Sequence, residues 1–316
     1  MRYAARMNRI LPLLAFLYVF HISAQEISEA SPVEVTASSL KPVQQVGQDT
    51  SVATSLLFVP EVVVLTQGQP VGQADLSIRN SSFSAAGVSI SRLALSNAQT
   101  EHFHAALPFP GWWLATPEVL TGVRQARETE GFLTGSVFFR PTALSQGSRF
   151  TAGIDDQGGY WANANSEQVR QAEDGTVTGL GVFGGVTDIP EVDFPDNDVE
   201  AARGGVRWQR IDENGQTDLL IGHQDKTFGA RGYYGVNESL PAEERTQDTL
   251  ALASWESSQA SNPASASLML RQFEDDYKLW LPTSLFRNQH KNRQAAGQVS
   301  KVISLQEGIR LNSRIA

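Results

Sequence analysis

From about residue 148 onward, apolar and polar positions alternate along the chain. In residues 202–209, one set of alternate positions holds Ala, Gly, Val and Trp, and the other set holds Arg, Gly, Arg and Gln. Residues 264–271 and 310–315 alternate in a similar way. A period of two places successive side chains on opposite faces of a β-strand. The pattern therefore predicts strands with one face toward an apolar environment and the other toward water.

Strands of this kind fit two classes of protein. They could form a soluble antiparallel sandwich or barrel around an apolar core, or a membrane barrel with lipid outside and water inside. Gly, Ser and Arg on the polar faces favour a wet lumen. Two long acidic connections, predicted at residues 188–200 and 236–248, also favour the membrane barrel, in which one rim has long loops and the other short turns.

The first residues have the pattern of an export signal. Three arginines within the first nine positions precede an apolar run at residues 10–20, and Ala24 offers a small residue at a cleavage point. This run is too short for a helix that must cross ~30 Å of hydrocarbon. We therefore interpret residues 1–24 as a removable secretory signal. No later segment is long and unbroken enough for a transmembrane helix, so a mature membrane form must cross with strands.

Two segments separate the signal from the alternating region. Residues 25–50 are rich in Ser, Gln, Pro and Val, which predicts an extended arm. Within the arm, residues 33–37 alternate and are β-branched, and such a segment can add as a strand to the edge of a partner's sheet. Residues 51–147 mix short apolar runs with Gly and Pro, which predicts a small α+β domain. The runs at 57–65 and 132–140 predict two of its strands, the first of them buried.

Composition argues against several functions. The chain has a formal net charge of −9 and no cysteine. An acidic chain with scattered Lys and Arg argues against nucleic-acid binding, and the lack of Cys excludes a disulfide scaffold and cysteine-ligated zinc. The glycine-rich stretch at 179–185 lacks the Lys-Ser/Thr ending of a phosphate-binding loop, and no hydrolase or metalloprotease motif is present. The sequence therefore predicts a protein that is not an enzyme.

One short segment of the arm resembles a TonB box, the strand that TonB grips from the periplasm. It consists of Val33, Glu34, Val35, Thr36 and Ala37. Together with later motifs in matching order, it makes the chain similar to the family of TonB-dependent outer-membrane receptors. The resemblance implies that the periplasmic C-terminal domain of TonB is a partner, and that a plug domain and a transmembrane barrel follow the arm.

Residues 74–83 resemble the plug signature of that family, an acidic residue followed by Ile-Arg-Gly and a Ser-Phe step. The matching positions are Asp75, Ile78, Arg79 and Phe83. Asn80 stands where the family usually has Gly, and residues 89–93 stand near its usual Asp-Gly turn. The resemblance implies that Arg79 pairs with barrel carboxylates and helps hold the plug. The alternative is an ordinary surface ion pair with Asp75.

Further stretches extend the resemblance toward the C-terminus. Residues 99–104 and 118–122 resemble later plug segments, and residues 226–234 and 273–290 contain segments similar to the cobalamin-receptor-like branch. A wet plug surface facing the ligand is expected at His102, Phe103 and His104. The spacing of the two histidines could also serve a metal, although no carboxylate or thiol lies in tight register with both.

An acidic loop is a candidate calcium site. Its predicted ligands are Asp193, Asp196 and Asp198. Hard carboxylate oxygens on a loop suit calcium, and this group resembles a calcium-binding loop of the cobalamin receptor. A loop that faces water is also often acidic for solubility alone. Calcium is the one cofactor that the sequence brings into consideration.

The resulting prediction is an all-β transmembrane barrel, incomplete here, preceded by a small α+β plug domain. The predicted segments are the signal at 1–24, the arm at 25–50, the plug at 51–147 and the first part of the barrel at 148–316. Barrels of this family have about 22 strands, which need far more residues than the last segment supplies. We expect an incomplete chain in the cell outer membrane that belongs to a TonB-dependent receptor for a nutrient such as a siderophore or cobalamin. The alternatives are a small structural or adhesive barrel and an inactive truncated product.

Overall fold

The structure is a computed structural model in which part of the chain is described. The described residues are 52–57, 59–67, 71–97, 102, 105–129, 131–191, 196–259, 261–306 and 309–315. All of them belong to one contact-dense unit of the chain. The predicted signal and arm, including residues 33–37, lie outside the described residues, and so do Phe103, His104 and Asp193.

The described part of residues 52–141 forms a small domain, which opens with a helix and a hairpin. The elements are helix α1 (Val52–Leu56), strand β1 (Val62–Gln67) and strand β2 (Gln73–Ile78). Strands β1 and β2 pair antiparallel. The prediction of a buried strand at 57–65 is wrong in its bounds and burial, because the strand starts after Pro60 and both Val63 and Leu65 are exposed. Proline lacks the N–H that a strand interior needs, which accounts for the later start.

A mixed four-stranded sheet and a second short helix complete the small domain. The elements are β3 (Ala86–Ile90), β4 (Leu93–Leu95), β5 (Glu118–Leu120), helix α2 (Gly122–Glu128) and β6 (Gly135–Phe139). The sheet has the order β4-β3-β6-β5, with β3 and β6 parallel. The predicted strand at 132–140 contains β6, whose five residues are all buried.

The rest of the described chain is an antiparallel sheet of nine strands. The strands are β7 (Gly147–Ile154), β8 (Tyr160–Gln171), β9 (Val177–Ile189), β10 (Val199–Asp212), β11 (Gly215–Gly229), β12 (Ala242–Ser257), β13 (Ala264–Trp280), β14 (Leu285–Gln306) and β15 (Ile309–Ile315). Each strand pairs with the next in the chain, and β7 and β15 stand at the two ends of the order. The described strands therefore form an open sheet and not a closed barrel.

Burial across this sheet is the reverse of burial in a soluble sandwich. Its polar face is covered, since Arg207 is 0% exposed and Arg271 is 5% exposed. Its apolar face is open, since Ile221, Leu268 and Leu270 are each 54% exposed. Alternation therefore separates a covered polar face, here called the inner face, from an exposed apolar face, here called the outer face. Among the described residues, no helix is long and apolar enough to cross a membrane.

The connections between the nine strands differ in length at the two rims. One rim carries the longest connections, at 190–198 and 230–241, and we call it the long-loop rim. The opposite rim has connections as short as 213–214. The predicted loop at 188–200 agrees with this arrangement. The predicted loop at 236–248 is wrong at its end, because β12 begins at Ala242 and its charged residues lie on a strand.

The small domain packs against the inner face of the sheet. Phe109 and Trp113 belong to the same buried cluster as Phe183 of β9 and Leu220 of β11. Trp113 and Phe183 meet edge to face, with ring centroids 4.9 Å apart. Gly222 of β11 allows the closest approach, because a Cβ there would lie 2.4 Å from the carbonyl oxygen of Pro108. The apolar core is thus shared between the small domain and the covered face of the sheet.

Candidate functional site

Polar side chains of the small domain meet the sheet beneath the long-loop rim. Asp75 of β2 is 6% exposed, and its Oδ2 accepts a hydrogen bond from the Gln73 side-chain amide at 3.1 Å. The Nδ1 atom of His102 lies 2.7 Å from the same oxygen. The His102 ring stacks on Phe83 with centroids 4.4 Å apart and planes at 23°. Three positions predicted to be functional, Asp75, Phe83 and His102, are therefore neighbours in the structure.

The other two positions of the predicted plug signature lie at the end of β2. Ile78 is fully buried in the core. Arg79 and Asn80 follow it in the left-handed region, with φ of 56° and 59°. The Nη2 atom of Arg79 donates a hydrogen bond to Thr121 Oγ1 at 2.9 Å, in an exposed position. The described contacts of Arg79 are thus within the small domain, and its pairing with barrel carboxylates stays a prediction.

A tyrosine from the 230–241 connection covers this cluster. The Tyr234 hydroxyl lies 2.5 Å from Glu244 Oε2, to which it donates, and 3.2 Å from Gln73 Oε1. Burial, together with the negative charge of Glu244, raises the pKa of Tyr234 well above its ordinary value, so the hydroxyl stays protonated. The Tyr234 ring lies 5.4 Å from the ring of His102. The long-loop rim is therefore joined to the small domain by a neutral hydrogen-bond donor.

Lys226 makes a second connection between sheet and small domain. Its ammonium donates to the carbonyl oxygens of Val71 and Gly72, the first of them at 3.2 Å. Sequence reasoning did not select Lys226, Tyr234 or Glu244 individually. The only signal was that the first two belong to a stretch, residues 226–234, that resembles a receptor barrel segment.

The inner face of β13 continues the cluster across the sheet. Asp275 Oδ1 lies 2.7 Å from His290 Nδ1 on β14. Arg271 forms two hydrogen bonds with Asp248 on β12, at 2.9 and 2.8 Å, and both side chains are buried. The ring of Tyr277 lies edge-on to Tyr234 at 5.4 Å. We call Asp75, His102, Tyr234, Glu244, Asp275, Tyr277 and His290 the upper-wall cluster.

A different set of polar contacts lies in the half of the sheet nearer the short-turn rim. Arg207 of β10 pairs with Asp218 of β11 at 2.6 Å and donates to the carbonyl oxygens of Trp113 and Thr142. Gln209 donates to the Thr142 carbonyl at 3.0 Å as well. The inner face thereby binds the backbone that leads from the small domain into β7.

Glu167 of β8 extends these contacts. It accepts hydrogen bonds from the Trp113 indole at 3.0 Å and from the Ser145 backbone N–H at 2.9 Å. We call the four sheet residues the linker cradle. They are Glu167, Arg207, Gln209 and Asp218. Because a buried charge is costly unless it is paired, we expect the loss of one charged member to destabilise the cradle.

The acidic connection at 190–198 contains the described part of the predicted calcium site. Asp196 Oδ2 lies 2.7 Å from Arg231 Nη2, and the Asp198 carbonyl accepts the Gly229 N–H at 2.8 Å. Burial raises the pKa of the Asp198 carboxyl. Within the described ranges, no group of three or more His, Asp or Glu side chains is arranged to hold a metal ion. Calcium binding here stays a prediction, since Asp193 lies outside those ranges.

No protein-family model and no curated protein matches the chain. Solved structures do match it. The siderophore receptor PiuA from Acinetobacter baumannii matches with a TM-score of 0.56 at 14% identity, over 86% of this chain and 44% of PiuA. The unliganded ferric citrate transporter FecA matches with a TM-score of 0.56 at 13% identity, over 81% of this chain and 42% of FecA.

The chain shares the fold of these receptors. It spans less than half of the length of either one. The receptor fold agrees with the predicted antiparallel β-strands. At 13–14% identity the likeness concerns the fold, and it assigns neither ligand to this chain.

Proposed function

We propose that the chain belongs to a TonB-dependent outer-membrane receptor for the energised uptake of a scarce nutrient. The observation that carries the proposal is the reversed burial of the nine-stranded sheet, with a folded domain on its polar face and apolar side chains exposed on the other. Such a sheet suits lipid outside and a plugged lumen inside. The fold shared with two receptor structures supports the same reading.

In this proposal the small domain is the plug, and the long-loop rim faces the exterior. Short turns of outer-membrane barrels face the periplasm and long loops face outward. The ligand then approaches the upper-wall cluster, where residues of the plug and the wall meet. The linker cradle lies toward the periplasm and holds the plug's C-terminal connection while the rest of the plug shifts.

The proposed energy input is pairing of TonB with residues 33–37. A β-branched extended segment can add to the edge of a partner's sheet through backbone hydrogen bonds. The pull would act on α1 and the β1–β2 hairpin, since these elements follow the arm. Near residue 71 the sheet contacts this side of the plug through Lys226, which donates to the carbonyl oxygens of Val71 and Gly72.

Replacing Val35 with proline tests the proposal. Proline removes a backbone donor and restricts the residue before it, so Val35→Pro should abolish binding of the purified TonB C-terminal domain. Affinity is measured by titration calorimetry with the full chain in detergent. Gln45→Pro places the same change in the arm outside the pairing segment and should bind normally. Equal affinity of the wild type and Val35→Pro would remove this role.

A further inference from the structure

Three buried side-chain atoms on the inner face of β13 lack a hydrogen-bond partner among the described residues: Arg271 Nη1 and, nearer the long-loop rim, two atoms that lie close together in the strand. These two are the Oδ2 atom of Asp275 and the hydroxyl of Tyr277. Asp275 is 4% exposed and Tyr277 is 7% exposed. Buried polar atoms are nearly always hydrogen-bonded, because an unpaired one has lost water without compensation. Two such atoms, two residues apart on one face of a strand, therefore indicate a place for a polar group from outside the chain.

The surroundings of this pair define the chemistry of that group. In the strand register, Tyr277 lies opposite Glu244 of β12, and Asp275 lies opposite His290 of β14. The rings of Tyr277 and Tyr234 stand edge to face, at 76°. Carboxylate oxygens accept charge-assisted hydrogen bonds from ammonium groups, and aromatic faces attract cations. The site therefore combines the two features that bind an organic ammonium group.

The charged groups that face this part of the inner face also favour a cationic ligand. Arg271 and Asp248 neutralise each other in a two-hydrogen-bond pair. The remaining described carboxylates are Asp75, Glu244 and Asp275, and the described ammonium group among them is that of Lys226. His102 and His290 each lie 2.7 Å from one of these carboxylates. Counted without the two imidazoles, the carboxylates outnumber the ammonium group and give the site a negative potential. It disfavours a ligand rich in carboxylates or phosphates and favours one with positive charge.

The acidic residues of the long-loop rim also favour a cationic ligand. Its four connections, residues 155–159, 190–198, 230–241 and 281–284, contain seven Asp and Glu residues against a single basic residue, Arg231. Loops of one sign around an entrance raise the local concentration of ions of the opposite sign. A cationic ligand is thus attracted at the rim and then bound on the wall, whereas a polyanion meets like charge at both places.

We propose that the ligand carries an ammonium group, which binds between Asp275 Oδ2 and the rings of Tyr234 and Tyr277. The inference rests on the proposed uptake function only in placing the entrance at the long-loop rim. The ammonium donates to the unpaired carboxylate oxygen, and the Tyr277 hydroxyl accepts from the same group or from its neighbour on the ligand. This defines the ligand class by charge and distinguishes it from the ferric citrate named for FecA.

The test uses three probes of one shape and different charge. These are para-fluorobenzylammonium, para-fluorobenzyl alcohol and para-fluorobenzoate, titrated into the full chain in mild detergent and followed by fluorine NMR. The ammonium probe should show saturable line broadening, and the benzoate should show none. Asp275→Asn should weaken the ammonium probe about tenfold, since it removes a charged hydrogen-bond acceptor.

Two further variants separate the site from general effects of charge and folding. Asp156→Asn removes the same charge from an exposed turn on the same rim and should leave the affinity unchanged. Tyr277→Phe keeps the ring and removes the hydroxyl, and it should weaken the ammonium probe about threefold. If Asp275→Asn fails to fold, Tyr277→Phe tests the ammonium site by itself.

Three results would overturn the inference. They are equal binding of benzoate and ammonium, no saturable binding of any probe, and equal losses in Asp156→Asn and Asp275→Asn. None of these results depends on TonB, so the site can fail while Val35→Pro still abolishes pairing. Conversely, normal TonB binding by Val35→Pro would contradict the proposed TonB contact but not the ammonium site.

Discussion

At the scale of single residues, Asn80 shows how a departure from a motif keeps the same backbone. Its φ is 59°, in the left-handed region that glycine enters freely and asparagine tolerates. The family position usually held by glycine is thus a turn position here as well. Ser91 and Arg92, which connect β3 and β4, also have positive φ, of 46° and 71°. They belong to residues 89–93, the stretch that stands near the usual Asp-Gly turn of the family that the sequence resembles, and Asp-Gly suits hairpin turns with positive φ.

Substitutions at Asn80 test this backbone argument. Asn80→Val should lower the free energy of unfolding by about 1–2 kcal/mol, because a β-branched side chain is strained at positive φ. Asn80→Gly should leave stability unchanged or slightly higher. Denaturation in detergent, followed by tryptophan fluorescence, measures both. Equal stability of the Val and Gly variants would contradict the left-handed conformation.

A buried ion pair on the inner face also bears on stability at the scale of single residues. Arg207 and Asp218 are 0% and 2% exposed; Arg207 donates to the linker carbonyls, and Asp218 accepts from Arg207. Removing one member should cost more than removing both, since a lone buried charge is left behind. Arg207→Met should therefore destabilise by about 3–5 kcal/mol, and adding Asp218→Leu should restore part of the loss. Limited proteolysis between residues 140 and 147, together with denaturation, reports both effects. Additive losses would show that the pair is not coupled.

At the scale of elements, β12 begins earlier and β13 ends later than the sequence pattern predicted. Toward the long-loop rim their outer-facing residues are charged and paired across strands, as in Arg245 with Asp225 and Arg287 with Asp276. Exposed pairs of this kind contribute about 0–1 kcal/mol each, so they extend the strands into water at little cost. Residues 242–248 look like an acidic loop in sequence because this part of β12 carries charged and polar side chains on both faces and shows no apolar alternation.

An inner-face glycine allows the small domain to approach the sheet closely. Gly222→Ala places a Cβ against the Pro108 carbonyl and should destabilise by about 1–3 kcal/mol, as overpacking does. Gly297→Ala is the control for the same substitution on the exposed outer face, because its Cβ would have no atom closer than 3.6 Å. Proteolytic release of the small domain and denaturation midpoints compare the two. A loss at Gly297 as large as that at Gly222 would contradict the packing argument.

At the scale of the whole molecule, the nine strands leave two unpaired edges, at β7 and β15. Unpaired backbone groups are not tolerated in hydrocarbon, where no water can satisfy them. The purified chain alone should therefore give no discrete conductance steps in planar lipid bilayers. Stable, uniform steps would instead support a small complete barrel, the alternative that requires closure of these strands. Detergent micelles relieve this constraint, so binding experiments remain feasible.

The alternation of residues determined the strands by itself, because a period of two needs only local geometry. It also predicted β6, the long connection near residue 195 and the sign of the charge on the loops. Local signals failed at residues 57–65, where the strand begins only after Pro60, and at residues 236–248, where β12 already begins at Ala242. Asp75, Phe83 and His102 were selected by motif, without any signal that they are neighbours.

Only the tertiary structure decided which face of the sheet is covered. The sequence separates the two faces but does not say what each one meets, since that depends on where the small domain packs. The same packing joins Asp75 of β2 to Tyr234 and Asp275, which lie far apart in the chain. Contacts between distant residues leave no periodic pattern in the sequence. The upper-wall cluster and the linker cradle are therefore visible only in the folded chain.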